Sequence, residues 1–245
     1  MTDVALPPEQ KAVDYWTQAA NPSAVRRWKR SMVWRRTLWK TTVLSAAILK
    51  RALDICGSIF ALVLFSPVLL LLAILIKIED RGPIFYKQQR YGLHGRTFYC
   101  WKIRSMVTNA DALRKELLKQ NKHGDGSISF KMRDDPRITR TGKWIRKLSL
   151  DEVPQFWSVL IGDMSLVGPR PHVWAEVSSY NAFQLRRLTA KPGITCLWQI
   201  GGRSDIPFEG QVRLDLKYIH SQGVWEDIKI LFLTIPAVVL GRGAY

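Results

Sequence analysis

The strongest pattern in the chain is an apolar run in its first third. Residues 55–76, ICGSIFALVLFSPVLLLLAILI, form a stretch of 22 residues without a charge. As a helix, this stretch is long enough to cross the roughly 30 Å hydrocarbon core of a bilayer. Lys50 and Arg51 precede it, and Lys77 and Arg81 follow it. An ordinary single membrane span is one interpretation of this pattern.

Two features favour a helix that enters the membrane and returns to the same side. Ser66-Pro67 lies in the middle of the run, where proline removes a helical hydrogen bond and bends the chain. Basic residues stand on both flanks, and basic residues prefer the cytoplasmic side. The pattern therefore predicts a re-entrant helix over 43–78 that is broken at Ser66-Pro67, although hydropathy alone leaves the single span open.

After residue 78 the pattern is that of a soluble domain. The segments IFYKQQRYG and RTFYCWKIRSM, separated by a turn at 92–95, predict a β-hairpin. Residues 108–121 have the apolar spacing of a helix, with Asn109 as its candidate N-cap. The predicted fold class is α/β, rich in helix with a small sheet, in a monotopic membrane protein with a re-entrant broken helix and interfacial helices.

Two other segments have the composition of a membrane surface. Residues 26–40, RRWKRSMVWRRTLWK, interleave basic residues with tryptophans, which is typical of a segment lying on an anionic bilayer; a solvated basic helix is the alternative. The C-terminal stretch VWEDIKILFLTIPAVVL predicts either an interfacial helix or a buried core helix. The expected organisation is a basic and aromatic tail with an interfacial segment at 1–42, the membrane helix at 43–78, and a catalytic domain at 79–245 that ends in the interfacial helix.

Charge and composition narrow the possible partners. The net charge of +17, from 37 Lys and Arg against 20 Asp and Glu, implies a polyanionic partner such as nucleic acid, anionic lipid or a phosphorylated substrate. The 10 tryptophans favour a membrane surface. Three separated cysteines indicate neither a disulfide framework nor a zinc site, and the N-terminus lacks the pattern of a secretory signal, so the catalytic part is expected in the cytoplasm.

The candidate chemistry lies in the segment SLDE. Ser149 and Glu152 have the spacing of a capping box, so one interpretation is only a helix start. Pro154 favours instead a helix that begins at Asp151, with the proline in its first turn. A carboxylate pair among many cations suits phosphoryl chemistry. The surrounding basic residues are Lys131, Arg133, Arg137, Arg140, Lys143, Arg146 and Lys147.

A second motif is Gly168-Pro169-Arg170-Pro171. Two prolines restrict the backbone around the arginine, and a guanidinium held in this way can clamp phosphate oxygens. Taken alone, the motif could be only a rigid turn. Motifs for P-loop, zinc-dependent and esterase hydrolysis are absent from the sequence.

A series of ordered motifs, from about Lys50 to the C-terminus, resembles the bacterial sugar transferase family. These are KRALDICGSIFALVLFSP, GPIFYKQQRYGLHGRTFYCWKIRSM, DDPRITRTGKWIRKLSLDEVPQFWSVLIGDMSLVGPRP, KPGITCLWQIGGRSD and LDLKYIHSQGVWEDIKIL. The resemblance implies a monotopic phosphoglycosyl transferase of the small class, with a re-entrant helix broken at Ser66-Pro67. It also implies catalysis by the acidic dyad, with Asp151 as nucleophile and Glu152 as its partner.

The implied reaction moves a hexose-1-phosphate from a UDP-hexose to undecaprenyl (polyprenyl) phosphate. It yields UMP through a covalent aspartyl-phosphosugar, as the first membrane step of exopolysaccharide or glycan synthesis on the cytoplasmic face of the bacterial inner membrane. We expect Mg²⁺ at Asp151 and Glu152, because magnesium needs only one or two protein carboxylates beside substrate phosphates. The candidates for binding phosphate or substrate are Arg170, Arg146, Lys131, Arg137, Gln155, Gln199 and Arg203.

The sequence departs from the family pattern at two places near those residues. Cys196 stands where the family usually has glycine, and Gly201-Gly202 where a small polar residue often precedes the second glycine. We expect both departures to alter the local loop geometry and, through it, to bear on sugar choice. Trp198 lies in the same segment, either shaping the pocket or filling the core.

A function from a different class remains as an alternative. A non-catalytic, membrane-anchored adaptor that binds anionic lipid or nucleic acid would also need this charge, whereas the transferase needs no nucleic acid. A multi-span transferase subunit would need further apolar runs, and the sequence has one. The identity of the hexose and the oligomeric state stay open, a homodimer included.

Overall fold

The computed structural model describes residues 22–110, 112–113, 135–202 and 206–239. Lys131 and Arg203, predicted to bind substrate, lie outside these ranges, as does most of the helix predicted at 108–121. The chain divides into two units, residues 1–48 and 49–245. The apolar run therefore belongs to the same unit as the predicted catalytic domain.

Helix α1 contains the apolar run. It extends over Pro22–Asp80 with Pro67 inside it, so the proline does not end the helix. Proline has no N–H to donate to the carbonyl of Val63, and the Ser66 hydroxyl donates to that oxygen instead, at 2.8 Å. Among the described residues, α1 is the one helix long and apolar enough to cross a membrane. Re-entrance stays a prediction.

After α1, the described part of the chain forms further helices and two small sheets. Strands β1 and β2 pair antiparallel, with Phe85 opposite Ile103 and Tyr91 opposite Thr97, which confirms the predicted hairpin. The helix-rich fold with a small sheet is confirmed as well. In chain order after α1 the elements are β1 Phe85–Tyr91, β2 Thr97–Ile103, α2 Arg140–Lys147, α3 Gln155–Ile161, β3 Ser165–Val167, α4 Trp174–Val177, α5 Ala182–Leu185, β4 Gly193–Thr195, α6 Leu197–Gly201, α7 Phe208–Ser221 and α8 Val224–Val239.

Charged residues attach the beginning of the apolar run to the globular part. The Arg51 guanidinium donates to the carbonyls of Val159 and Leu160, at 2.6 and 2.7 Å, near the C-terminal end of α3. Cations at this end of a helix satisfy carbonyls that lack helical partners. Asp54 accepts hydrogen bonds from the Ser165 hydroxyl and the backbone N–H of Leu166, both at 2.9 Å.

The other end of the run is attached to the same unit. The Glu79 carboxylate accepts hydrogen bonds from the backbone N–H groups of Arg140 and Thr141, at 2.7 and 3.1 Å, and so caps α2. Asp80 forms an ion pair with Arg104 at 3.1 Å. Four buried apolar residues pack together at this junction: Leu72, Ile76, Ile103 and Ile145.

Strands β3 and β4 lie in the main core and pair in parallel. Glycines allow their close approach: a Cβ on Gly193 would lie 2.0 Å from the backbone nitrogen of Gly168, where no side chain fits. The pairing continues past the strands, since Gly193 donates to the carbonyl of Pro169 at 2.8 Å. The main core is formed by Phe98, Cys100, Val159, Met164, Leu166, Val167, Tyr218 and Ile230.

Candidate active site

The acidic dyad lies in a tight turn rather than at an α-helix start. Residues Leu150–Glu152 form a single 3₁₀ turn, and α3 begins only at Gln155, after Pro154 at its N-cap. The predicted helix start at Asp151 is therefore wrong, because Asp151 and Glu152 belong to the 3₁₀ turn that precedes the α-helix. The capping-box interpretation is wrong too: Ser149 makes no side-chain cap and adopts a left-handed backbone with φ of 54°. This turn places the two carboxylates side by side.

A lysine of β2 faces both carboxylates. Lys102 Nζ lies 3.2 Å from Asp151 Oδ2 and 3.1 Å from Glu152 Oε1, and all three side chains are largely buried. The lysine stands on the face of β2 that also carries the buried Phe98 and Cys100, since side chains two residues apart share a face. The core side of the hairpin thus brings one positive charge to the negative pair.

The pKa values of the two carboxylates move in opposite directions. Burial raises the pKa of Asp151 above its usual value; Lys102 opposes this, and the neighbouring Glu152 adds to it. Burial also raises the pKa of Glu152, but the charges of Lys102 and then Arg170 outweigh it, so that pKa lies below its usual value. Burial lowers the pKa of Lys102, and the two carboxylates more than compensate, so the ammonium form is favoured. The cluster is an ionised lysine with two inequivalent carboxylates.

Arg170 reaches the same cleft from the loop after β3. Its guanidinium lies over the ring of Trp198, 5.8 Å from the centroid. From the hairpin, Arg90 donates to the carbonyl of Pro171 at 2.9 Å and so supports this loop. Burial, followed by the charge of Arg170, lowers the pKa of Arg90 below its usual value. Two guanidiniums that repel one another across a cleft form a site suited to an anion.

The cleft itself is narrow and opens to solvent. Gln155 is buried at the start of α3, and Gln199 accepts a hydrogen bond from the Cys196 thiol at 3.0 Å. Cys196, where the sequence departs from the family pattern, thus orients a residue of the cleft. The cleft is lined by Arg90, Cys100, Lys102, Glu152, Gln155, Arg170, Pro171, Gly193, Ile194 and Gln199.

The other predicted binding residues take different places. Arg146 does not line the cleft, although its charge acts on Asp151 and lowers that pKa slightly against burial. Arg137 is buried and forms a two-bond ion pair with Asp135. Trp198 is buried and packs against Arg170, which makes it both a core residue and a support for the cleft. Binding roles for Arg146 and Arg137 stay predictions.

The sequence interpretation missed Lys102 and Arg90. The signal was present in the predicted hairpin: the strand alternation puts Lys102 on the same face as Phe98 and Cys100, and a lysine on an apolar strand face needs a partner. Arg90 lies opposite Phe98 in the register and hence on that same face. The charge pattern of the hairpin alone could therefore have marked its inner face as part of a site.

The donor set bears on the expected magnesium ion. The structure described contains no group of three or more His, Cys, Asp and Glu residues that could hold a metal. Asp151 and Glu152 supply two carboxylates, which suit a magnesium ion completed by substrate phosphates and water rather than a site closed by protein ligands. The residues present therefore fit a metal that arrives with its phosphate substrate.

Comparison with known proteins adds an independent finding. The family model described as bacterial sugar transferase matches residues 45–241. The galactosyl transferase CpsE of Streptococcus agalactiae serotype III is 49% identical over 201 residues, 82% of this chain and 44% of that protein. The exopolysaccharide production protein ExoY of Sinorhizobium fredii is 42% identical over 200 residues, 81% of this chain and 88% of that protein.

A third relative has a fully specified reaction in its name. The UDP-glucose:undecaprenyl-phosphate glucose-1-phosphate transferase of Escherichia coli K12 is 39% identical over 206 residues, 81% of this chain and 42% of that protein. The chain thus spans less than half the length of CpsE and of this transferase. The matched region includes the apolar run, the hairpin and the dyad, and it excludes the basic and aromatic segment 26–40.

Proposed function

The chain belongs to the bacterial sugar transferase family, and from this premise we propose that it moves a hexose-1-phosphate from a UDP-hexose to undecaprenyl (polyprenyl) phosphate. The products are UMP and a polyprenyl-diphosphate-hexose. This is the first membrane step in building an exopolysaccharide or related glycan. The names of CpsE, ExoY and the glucose-1-phosphate transferase support this class of reaction.

One observation carries the proposal: the Asp151 and Glu152 carboxylates share Lys102. Lys102 and Glu152 line a cleft together with Arg90 and Arg170, and Asp151 adjoins that cleft through the shared lysine. A diphosphate needs cations around its oxygens, and the three basic side chains supply them. A phosphorus held among them can be approached by a carboxylate. An adaptor that only binds anions needs the cations, but gains nothing from a carboxylate pair on one of them.

The reaction takes two steps at one phosphorus. An Asp151 oxygen attacks the β-phosphorus of the UDP-hexose, the bond from that phosphorus to the bridging oxygen breaks, and UMP leaves with the bond electrons. An oxygen of the polyprenyl phosphate then attacks the same phosphorus, and the Asp151 carboxylate is released unchanged. The acyl phosphate between the steps retains a high transfer potential. The hexose C–O bond is untouched, so the anomeric configuration is retained.

The positions of the charged groups suggest the role of each. Glu152 shares Lys102 with Asp151, so the lysine moderates the repulsion between the nucleophile and an arriving anion. Arg170 and Arg90 bind the phosphate oxygens as negative charge shifts towards the leaving UMP. Asp151 and Glu152 would also hold a magnesium ion, which supplies further charge neutralisation at the phosphates.

The attachment of α1 supports re-entrance, and the basic residues on both flanks of the apolar run favour the cytoplasmic face. Asp54 and Glu79, at opposite ends of the apolar run, both make hydrogen bonds to the same polar unit. In a helix crossing a hydrocarbon core of about 30 Å, these ends would lie on opposite sides of the membrane. One polar unit can attach to both ends only if the two lie on the same side. The uncovered part between them, including Phe60, Val63 and Leu70, is the part that dips into the bilayer.

Helix α8 is a candidate for the membrane surface. One side packs into the core through Ile230 and Asp227, while Trp225, Phe232 and Ile235 on the other side are exposed. A helix that packs one side into the core and leaves apolar residues exposed on its other side suits the interface between water and lipid. The buried-core alternative holds for one side of α8, and the interfacial alternative is our proposal for the other side. A homodimer stays a prediction.

The direct test is release of UMP by the full chain in phospholipid nanodiscs with polyprenyl phosphate and magnesium. UDP-glucose, UDP-galactose and their N-acetylated forms would be offered in separate reactions, because the cleft residues do not identify the sugar. We expect UMP from at least one donor. Replacing Asp151 by Asn should reduce the rate by at least roughly a thousandfold, since the nucleophile is removed.

A labelled donor separates catalysis from mere binding. With ³²P in the β-phosphate of the active donor and no lipid acceptor, label should remain on the protein and be lost on adding polyprenyl phosphate. Asp163→Asn is the matched control, because Asp163 is exposed and outside the cleft. Full UMP release by Asp151→Asn would remove the aspartate from the mechanism. Binding of UDP-sugars with no release from any donor would favour the adaptor.

A further inference from the structure

The segment before the family-matched region has a surface that the proposed reaction does not use. Between residues 26 and 40 the chain carries seven basic residues, and no Asp or Glu occurs from residue 15 to residue 53. The segment is helical, as part of α1, and every side chain from Arg30 to Ile48 is exposed. A helix with this much uncovered apolar and positive surface calls for a partner.

One side of the helix is apolar and aromatic. At 100° per residue, Trp28, Met32, Trp39 and Val43 fall within about 60° of one another. All four are exposed. Trp34 lies on another side, where it borders a shallow groove together with Arg30. The basic residues occupy most of the remaining circumference, so the segment has an aromatic stripe bordered by positive charge.

We propose that residues 26–43 bind the anionic phospholipid headgroups of the bilayer, with the Trp28, Met32, Trp39 and Val43 stripe lying in the interface. Tryptophan favours the boundary between headgroups and acyl chains, and long basic side chains extend from there to the lipid phosphates. The selectivity for anionic lipid comes from the seven unopposed positive charges. This surface lies outside the family-matched region and is separate from the phosphate cleft.

Charge decides between the candidate occupants. A second copy of the segment would bring seven further positive charges against the first seven, which disfavours pairing of two such helices. An anionic bilayer has the complementary charge, and the adjoining apolar run 55–76 would keep the segment near it. Because this argument uses the apolar run as a membrane attachment, the inference rests on the membrane placement proposed above. It does not depend on transferase activity.

Hydrogen exchange of the full chain in nanodiscs provides the test. Two lipid compositions would be compared, phosphatidylcholine alone and a 7:3 mixture of phosphatidylcholine and phosphatidylglycerol. We expect the backbone amides of 26–40 to exchange at least about tenfold more slowly in the mixture than in phosphatidylcholine alone. The reason is that each basic residue near an anionic surface improves binding about fivefold. High salt should reduce the difference, because it screens surface charge.

Two matched variants separate charge from helix packing. Replacing Arg26, Arg27, Arg35 and Arg36 by Gln leaves three of the seven basic residues and should reduce the difference between the lipids by more than half, whereas replacing the same four by Lys should retain it. Equal protection in both lipids would overturn the proposal in favour of purely apolar insertion. Protection only in discs holding two chains would overturn it in favour of a second copy, and protection in neither lipid would overturn it outright.

The same samples distinguish this inference from the proposed activity. UMP release is measured on each disc preparation before exchange. Lipid-dependent protection without UMP release would support lipid binding by residues 26–43 and count against the transferase reaction. UMP release without lipid-dependent protection would support the transferase reaction and count against lipid binding by this segment.

Discussion

Lys50 and Lys102 each form ion pairs with buried or partly buried carboxylates. The two clusters differ in how many of their polar atoms have partners within the protein. Lys50, at the start of the apolar run, donates to Asp227 Oδ2 at 2.6 Å, to the carbonyl of Val167 and to the hydroxyl of Tyr218. That hydroxyl lies 2.6 Å from the other oxygen of Asp227. All three ammonium protons and both carboxylate oxygens therefore have protein partners.

The cluster at Lys102 is left open. One ammonium faces two carboxylates, and among the described residues none donates a hydrogen bond to Asp151 Oδ1 or Glu152 Oε2. Arg90 and Arg170 line the same cleft. The comparison teaches that a charge pair which only holds the fold is saturated by the protein, whereas one that acts on a ligand keeps atoms available. The two lysines should accordingly fail in different ways when replaced.

The largest effect on stability is expected at the cluster around Lys50, which we call the closed cluster because all its polar atoms have protein partners. Lys50→Met leaves the Asp227 carboxylate buried without its cation and should lower the free energy of unfolding by about 3–5 kcal/mol. Denaturant unfolding of detergent-solubilised protein measures this. The double variant Lys50→Met with Asp227→Leu should recover most of the loss, because no uncompensated charge remains. A double variant as unstable as the single one would contradict the saturated-pair interpretation.

The open cluster should show the opposite response. Lys102→Met should slow UMP release by about 10²–10³-fold, the usual effect of removing one preorganised charge from an active site. It should lower the free energy of unfolding less than Lys50→Met does, because Asp151 and Glu152 are more exposed to water than Asp227. Lys87→Met is the matched control, because Lys87 is an exposed lysine of the same hairpin. If Lys102→Met unfolded the protein and left the rate per folded molecule unchanged, the two clusters would not differ as described.

A third buried group should behave like the closed cluster as the pH falls. Burial lowers the pKa of His172 to about 4, against the opposing hydrogen bond of Glu176. The unfolded state then takes up the proton first, so stability falls as the pH drops from 6.5 towards 4, by about 3 kcal/mol in all. His172→Gln should flatten this acid limb in unfolding curves at several pH values, and exposed His94→Asn should not. An unchanged limb in His172→Gln would assign the acid sensitivity elsewhere.

The smallest effect concerns the edge of the cleft. Cys196 donates to the side chain of Gln199, so Cys196→Ala should cost one hydrogen bond of about 0.5–1.5 kcal/mol. We expect KM for the donor sugar to rise by up to about tenfold with kcat nearly unchanged. Cys196→Ser, which retains a donor, should stay closer to the natural protein. A fall in kcat with KM unchanged would place Gln199 in the chemical step instead.

Much of this protein could be predicted from local patterns. The apolar run, the hairpin and the pairing of Asp151 with Glu152 depend on residues close together in the chain, where the periodicity and the turn residues are direct evidence. The loop at Arg170 is equally local, because two prolines and a glycine restrict it. Such features need no knowledge of what packs against them.

Local signals failed where packing decides between alternatives. The spacing of Ser149 and Glu152 is that of a capping box, yet Ser149 takes a left-handed conformation and the helix starts at Gln155. Of the cations near the dyad in sequence, Arg137 pairs with Asp135, while Arg146 acts on Asp151 from outside the cleft. Sequence proximity ranks such residues equally, whereas distance in space does not.

The sequence by itself determined which chemistry is available here: an acidic pair, an abundance of cations, and an apolar run long enough to cross a membrane. Only the tertiary structure decided which cations meet the pair. Lys102 and Arg90 reach the dyad because the hairpin register puts both on its core side, and Arg170 because the β3–β4 pairing fixes its loop. The physical reason is that Coulomb interactions and hydrogen bonds act over a few ångströms in space, and those separations are set by strand register and core packing rather than by position along the chain.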